Sequence, residues 1–276
     1  PLGVVILSNR DSAGWANRMK APYRPGIRLA GAEGRPPVVE VNDAALASVL
    51  AAGGVDVAKI RADTSTVILT DPGLKVMIDL KETVLKQSSA PNTIGILEGT
   101  DPKLKHEYLV YSAHMDHVGI ASGKPDSIHN GADDDASGTV GVVELAEAFS
   151  RPGARPKRSI LFITVSGEEK GLWGSNYFVN HPTVPLKDMV ADINLDMIGR
   201  NWPDTIVAIG REHSDLGKTL EAVNAQHPEL GMAAIDDRWP EENFYGRSDH
   251  YNFAKNGVPI LFFFNGVHAD YHQVTD

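Results

Sequence analysis

Imidazole and carboxylate side chains collect in this chain where an apolar run has just ended. YLVYSAHMDHVG, residues 108–119, changes from a buried-strand pattern to His114, Asp116 and His117 within a few positions. FITVSGEEKG brings Glu168 and Glu169 after a second run, ADINLDMIG places Asp196 near the end of a third, and HADYH brings His272 after PILFFFNG. GADDDASG sets Asp133, Asp134 and Asp135 in a Gly-bounded loop that opens a helical pattern. A zinc ion takes imidazole nitrogen and carboxylate oxygen, and a catalytic ion keeps one position open for water. Two such ions can share a carboxylate and activate one water between them. That centre needs two histidines, three carboxylates and one free carboxylate as base. His114, Asp134, Glu169, Asp196 and His272 supply the first set, and Glu168 the last.

Each piece alone has a plainer reading. A His-x-Asp after a strand is usually structural, an Asp-rich loop usually caps a helix, and a Glu-Glu pair usually belongs to a solvated turn. Asp196 resists this treatment, because a charge flanked by Asn194–Leu195 and Met197–Ile198 is buried and needs a partner. The plain reading would have to hold several times independently. His117 and His129 read as supporting or structural residues, with no coordination slot left for them. Ser248 of SDH, 248–250, reads as the cap of the following helix. Trp173 and Phe178 read as packing.

The elements that must position these groups alternate. EYLVYSA, SILFITVSG, MVADINLDMIG, TIVAIG and PILFFFNG read as strands, the first two followed by helical periodicity: Val142, Leu145, Ala146 and Phe149 fall at i, i+3, i+4 and i+7. LWGSNYFVNH and SDLGKTLEAVNAQH read as helices. KVMIDLKETVLKQ and NTIGILEGT alternate like two strands paired through SSAPN. The fold class expected is α/β, a mixed and mostly parallel central sheet with helices on both faces. In such sheets, sites form where strands end at their carboxyl edge.

Residues 1–73 read as a separate small module. Val4–Leu7, Val38–Val41 and Thr66–Leu69 are its expected strands, SNRDSAGWANRMKAPYRPG a polar loop, and DAALASVLAAGG a helix capped by Asn42 and stopped by Gly53 and Gly54. Residues 74–276 then form the larger domain.

The net charge of −10 and the lack of a basic stripe argue against nucleic acid as a partner. With no cysteine in the chain, thiolate metal sites and disulfides are excluded. No apolar run reaches the roughly 20 residues of a membrane span. The opening PLGVVILSNRD, without an initiator Met or signal-peptide pattern, reads as a processed or cut start, and YHQVTD as an unnatural end.

In AHMDHVG, NGADDDASGT, SGEEKGLWGSNYF, NLDMIG, SDHYNFAKNGVP and YHQVTD, in this order and spacing, the chain resembles the co-catalytic di-zinc aminopeptidases. That group includes bacterial secreted aminopeptidases, aminopeptidase Y and, more distantly, glutamate carboxypeptidase. Residues 1–73 resemble part of the protease-associated domain, a small β-rich module that some members carry. The resemblance implies two zinc ions per chain, His114 and Asp196 on one, Glu169 and His272 on the other, and Asp134 bridging, with a cis peptide after the bridge. It also implies Asp116 orienting the His114 imidazole, Glu168 as general base and Tyr245 as an oxyanion partner. The implied reaction removes N-terminal residues from peptides with a free amino end, in a periplasmic or secreted setting. Carboxypeptidases, dipeptidases and glutaminyl cyclases share much of this architecture, and receptor-like modules that have lost ligands form a non-catalytic alternative. Presence of the full donor set favours two-metal hydrolysis. Two extended neighbours such as Glu168 and Glu169 point in opposite directions, so one faces a metal and the other the water.

Overall fold

The computed structural model describes residues 3–8, 10–20, 26–30, 36–62, 73, 75–121 and 125–276. The chain divides into two compact units, Pro1–Ser88 and Ser89–Asp276.

In the first unit, β1 (Val4–Ser8) pairs in parallel with β2 (Val38–Asn42), and helices α1 (Ser12–Lys20), α2 (Asp43–Ala52) and α3 (Val57–Ala62) accompany them. The Asn42 side chain accepts from the Ala44 N–H and Gly53 ends α2, as the sequence indicates. One expectation changes: the polar stretch after β1 forms α1 over Ser12–Lys20 instead of a loop. Among the described residues this unit has two strands and three helices. The expected strand Thr66–Leu69 lies outside the described residues.

The second unit is built on a seven-stranded sheet. Its elements are β3 (Thr93–Leu97), β4 (Tyr108–His114), α4 (Gly138–Ser150), β5 (Ser159–Val165), α5 (Trp173–Asn180), β6 (Met189–Leu195), β7 (Thr205–Ile209), α6 (Leu216–Gln226), β8 (Ala233–Ile235), α7 (His250–Lys255) and β9 (Ile260–Phe263). The strand order is β3-β5-β4-β6-β9-β7-β8. The four central strands β5, β4, β6 and β9 are mutually parallel, while β3 and β7 run antiparallel to their inner neighbours. The mixed α/β architecture is therefore the one expected. One pairing is not: β3 lies against β5, and residues 75–87 form no strand. Ile78 is half-buried, but Val76, Met77, Leu80, Val84 and Leu85 stay exposed, Met77 at 92%, so local alternation there had no sheet face to bury.

Both faces of the central strands are covered, which is why SILFITV reads as continuously apolar. Ile160 and Phe162 point to a cluster with Ala113, Val142 and Leu195 on the α4 side. Leu161, Ile163 and Val165 point to the opposite cluster with Val110, Phe178 and Phe253, on the α5 and α7 side. Because β4, β5, β6 and β9 are parallel, their carboxyl ends share one edge of the sheet, and the acidic and imidazole residues emerge there.

Candidate metal centre

His114 is the last residue of β4, paired in register with Val165 of β5 and 1% exposed. Its Nε2 lies 3.1 Å from Asp134 Oδ1 and 3.6 Å from Asp196 Oδ1. Donor atoms of His114, Asp134 and Asp196 all lie within 4.8 Å of one another, and so do those of His117, Asp134 and Glu169. Asp134 is common to both groups. His272 Nε2 reaches the second group, 3.1 Å from Asp134 Oδ2 and 3.3 Å from Glu169 Oε2. The structure thus brings together all five residues of the proposed donor set, on two sides of one aspartate.

Three consecutive acids occupy the loop, and backbone contacts separate their tasks. Asp133 Oδ1 accepts from the Gly199 N–H at 2.7 Å, and its Oδ2 lies 3.2 Å from His268 Nε2. Asp135 accepts from the N–H groups of His114, Gly138 and Met197 at 3.1, 2.9 and 3.2 Å. Asp134 is left with its carboxylate facing the imidazoles, and the peptide bond between Asp134 and Asp135 is cis. The Asp276 side chain accepts from the backbone N–H groups of Asp133 and Asp134, both at 3.3 Å. This tethers the loop to the segment that carries His272.

Glu168 and Glu169 sit on one 3-10 turn, Glu168–Lys170, and not on an extended segment. Successive side chains on such a turn point about 120° apart, at 3.0 residues per turn. Glu169 joins His117 and His272, while Glu168 lines the cleft with His114, Asp134 and Asp196. Asp116 works differently from the expected carboxylate–imidazole pair. Its backbone oxygen, 2.9 Å away, is the partner of His114 Nδ1, and its carboxylate oxygen is 3.9 Å from that nitrogen. The carboxylate instead accepts from the Glu168 N–H at 3.1 Å. Ser248 does not cap α7, which has no side-chain cap; it donates to Asp196 Oδ2 at 2.7 Å.

Tyr245 does not line the cleft. Its ring packs on His213, His250 and Tyr251. The tyrosine at the cleft is Tyr271, stacked on His272 with ring centroids 3.9 Å apart. Burial and the nearby carboxylates of Asp134 and Glu169 push the Tyr271 hydroxyl up to about 12, so it remains a proton donor. His117 is also closer than its sequence context suggests, with Nδ1 2.9 Å from Glu169 Oε1. Its position three residues after His114 was the available signal. His129 stays behind it, ring centroids 6.3 Å apart. Met197, Phe244, Phe262, Phe264 and Val267 give the cleft an apolar wall, with Arg247 beside them.

The electrostatics call for a cation. Burial, with the carboxylates of Asp196 and Asp249 adding to it and His114 opposing, pushes Glu168 up to about 9. Burial and Asp134 push Glu169 up to about 7. Burial alone would lower His114, but Asp196 and Asp135 outweigh it and hold its imidazole well above the usual range. Although His117 Nδ1 and Glu169 Oε1 lie 2.9 Å apart, and His272 Nε2 lies 3.1 Å from Asp134 Oδ2, the two imidazole nitrogens and Glu169 Oε1 form no aligned hydrogen bond. Hard carboxylate oxygens and imidazole nitrogens, crowded and unpaired, are the donors that zinc takes. The residues present fit it.

Residues 92–276 match Peptidase family M28. The chain is 33% identical over 185 residues to leupeptin-inactivating enzyme 1 of Streptomyces exfoliatus, covering 67% of this chain and 37% of that protein. Among solved structures it resembles BSAP, a zinc aminopeptidase from Bacillus subtilis, at 29% identity and TM-score 0.51, covering 67% of this chain and 44% of that one. It also resembles the LapA aminopeptidase of Legionella pneumophila, at 25% identity and TM-score 0.55, with 67% and 48% covered. The chain spans less than half the length of each of these proteins. With two thirds of its residues matching one family, along the same sheet edge that gathers the metal donors, the chain belongs to peptidase family M28.

Proposed function

We propose that this chain is a metal-dependent exopeptidase that removes N-terminal residues from peptides, using two zinc ions. The carrying observation is the position of Asp134, whose two carboxylate oxygens face His114 on one side and His272 on the other. His114 and Asp196 would hold one ion, Glu169 and His272 the other, and Asp134 both; His117, whose donor atom groups with those of Asp134 and Glu169, could add to the second set. When bound, the pair of ions supplies Lewis acidity to a water and to the scissile carbonyl.

The chain's own residues do the rest. Glu168 faces the same cleft as His114 and Asp134 and takes the proton of the attacking water, then returns it to the leaving amine. A base must be ionised; burial and the carboxylates of Asp196 and Asp249 raise Glu168 to about 9 against the lowering by His114, and cations held at this centre would bring it down. Asp116, bonded to the Glu168 backbone N–H, fixes the turn that aims this carboxylate. The Tyr271 hydroxyl donates to the oxygen on which negative charge develops. The phenylalanine wall excludes water and accepts an apolar side chain.

Removal of N-terminal residues is supported by the names of the solved relatives, both aminopeptidases. A periplasmic or secreted setting belongs to the same proposal. Among the described residues no helix is long and apolar enough to cross a membrane. In the N-terminal unit we keep the proposal of a partial protease-associated module over residues 1–73, followed by the peptidase domain over 74–276. The test is a panel of fluorogenic amino-acid substrates with zinc added and removed. Zinc-dependent release from free amino ends is expected, with N-acetylated substrates refractory. Equal cleavage of blocked and free substrates would point to another hydrolase.

A further inference from the structure

On the face of the sheet that packs against α5 and α7, five polar side chains lie in a buried row: Asp192, Ser112, Asn194, Ser248 and Asp196. Strand register makes the row, since Ser112 of β4 sits beside Asn194 of β6, and residues 192, 194 and 196 alternate onto one face. Ser112 Oγ is 2.8 Å from Asp192 Oδ1 and 2.8 Å from Asn194 Oδ1. Asn194 Nδ2 is 2.9 Å from Ser248 Oγ, which is 2.7 Å from Asp196 Oδ2.

Counting protons fixes the direction of every bond. Asp196 is an anion, whether it holds a cation or faces the His114 imidazole, so Ser248 must donate to it. A serine hydroxyl has one proton. Ser248 therefore accepts from Asn194, which presents its NH2 there and turns its carbonyl oxygen to Ser112. That oxygen only accepts, so the single Ser112 proton goes to it. Ser112 has nothing left for Asp192, and two lone pairs do not meet at 2.8 Å.

We infer that Asp192 is a neutral carboxylic acid in the folded protein at neutral pH, donating to Ser112 and fixing the polarity of a four-bond chain that ends on the metal-binding carboxylate of Asp196. The surroundings agree. Asp192 is fully buried, its second oxygen has no partner, and the charged neighbour it feels is Asp249, a second acid. Burial, opposed by Ser112 and reinforced by Asp249, pushes its carboxyl up to about 8. Asp192 touches no reacting atom. It acts as a positioning residue, because the chain commits Asp196 Oδ2 to Ser248 and leaves Oδ1, 3.6 Å from His114 Nε2, free for the ion that Asp196 would hold.

The protonation half stands apart from the hydrolase reading and the positioning half rests on its metal site; the first is tested on the metal-free full chain by infrared spectroscopy with 13C-labelled aspartate at pH 7. A carbonyl band of a protonated acid is expected, lost in Asp192→Asn. Ser112→Ala, which removes the acceptor of that proton, shifts the same band upward and serves if Asp192→Asn does not fold. Loss of carboxylate-ion bands in Asp192→Asn, or an acid band unmoved by Ser112→Ala, overturns it. Zinc titration reads the positioning half: Ser112→Ala weakens affinity about tenfold, while Asp192→Asn, whose amide donates in the same place, keeps it. Unchanged affinity in Ser112→Ala would refute the positioning role.

Discussion

Asp133, Asp134 and Asp135 show what a sequence can and cannot convey at the scale of one residue. All three are buried acids in one loop, and only resemblance singled out Asp134. The distinction is made by N–H groups from distant places: Gly199 takes Asp133, while His114, Gly138 and Met197 take Asp135. No local pattern carries that information. The same holds for tyrosine, where the resemblance implies Tyr245 but Tyr271, next to His272, lines the cleft. Two substitutions test these roles. Glu168→Gln is expected to retain zinc, measured by metal analysis, while kcat falls about a thousandfold, in the range for loss of a general base. Tyr271→Phe should lower kcat by about 10- to 100-fold with KM nearly unchanged, the signature of a contact made in the transition state.

At the scale of elements, the parallel strands were legible because burial on both faces writes continuous apolar runs, and His114 and Asp196 could be placed at their ends. The antiparallel flanks were less so, since residues 75–87 carry a strand's alternation without a strand's partner. A close approach was also hidden. Gly138 opens α4 against β6, where an added Cβ would overlap the Leu195 carbonyl oxygen and the Asp135 carboxylate. Gly138→Ala should cost about 3 kcal/mol or more in denaturant unfolding, and weaken zinc binding with it. Buried titratable groups give the metal-free protein two opposed pH responses. Asp192, raised to about 8 when folded from an ordinary value near 4, contributes stability that is complete below pH ~4 and lost as pH rises through 8. His250, held down to about 4 by burial, contributes stability present above pH ~6.5 and lost as pH falls through 4. Asp192→Asn should therefore gain on the wild type as pH is raised from 5 to 8, by on the order of a few kcal/mol, in denaturant curves taken across that window.

For the whole molecule, the compact units meet between Ser88 and Ser89, while the proposed domain boundary at 73/74 follows the change in sequence pattern. The apolar residues of 75–87 suggested membership in the sheet, and their exposure shows why they do not belong to it. Exposed backbone without secondary structure is where proteases cut first. Limited proteolysis should therefore nick within residues 75–91 and leave a resistant fragment that starts near Ser89, identified by mass spectrometry. The most direct test of the proposed centre is a calorimetric zinc titration of the metal-free chain and of His272→Ala and Asp134→Ala. Two equivalents are expected in the wild type, one in His272→Ala, and loss of tight binding at both positions in Asp134→Ala. A wild-type chain that binds no zinc, or an Asp134→Ala chain that still binds two equivalents with unchanged affinity, would contradict a centre built around that shared carboxylate.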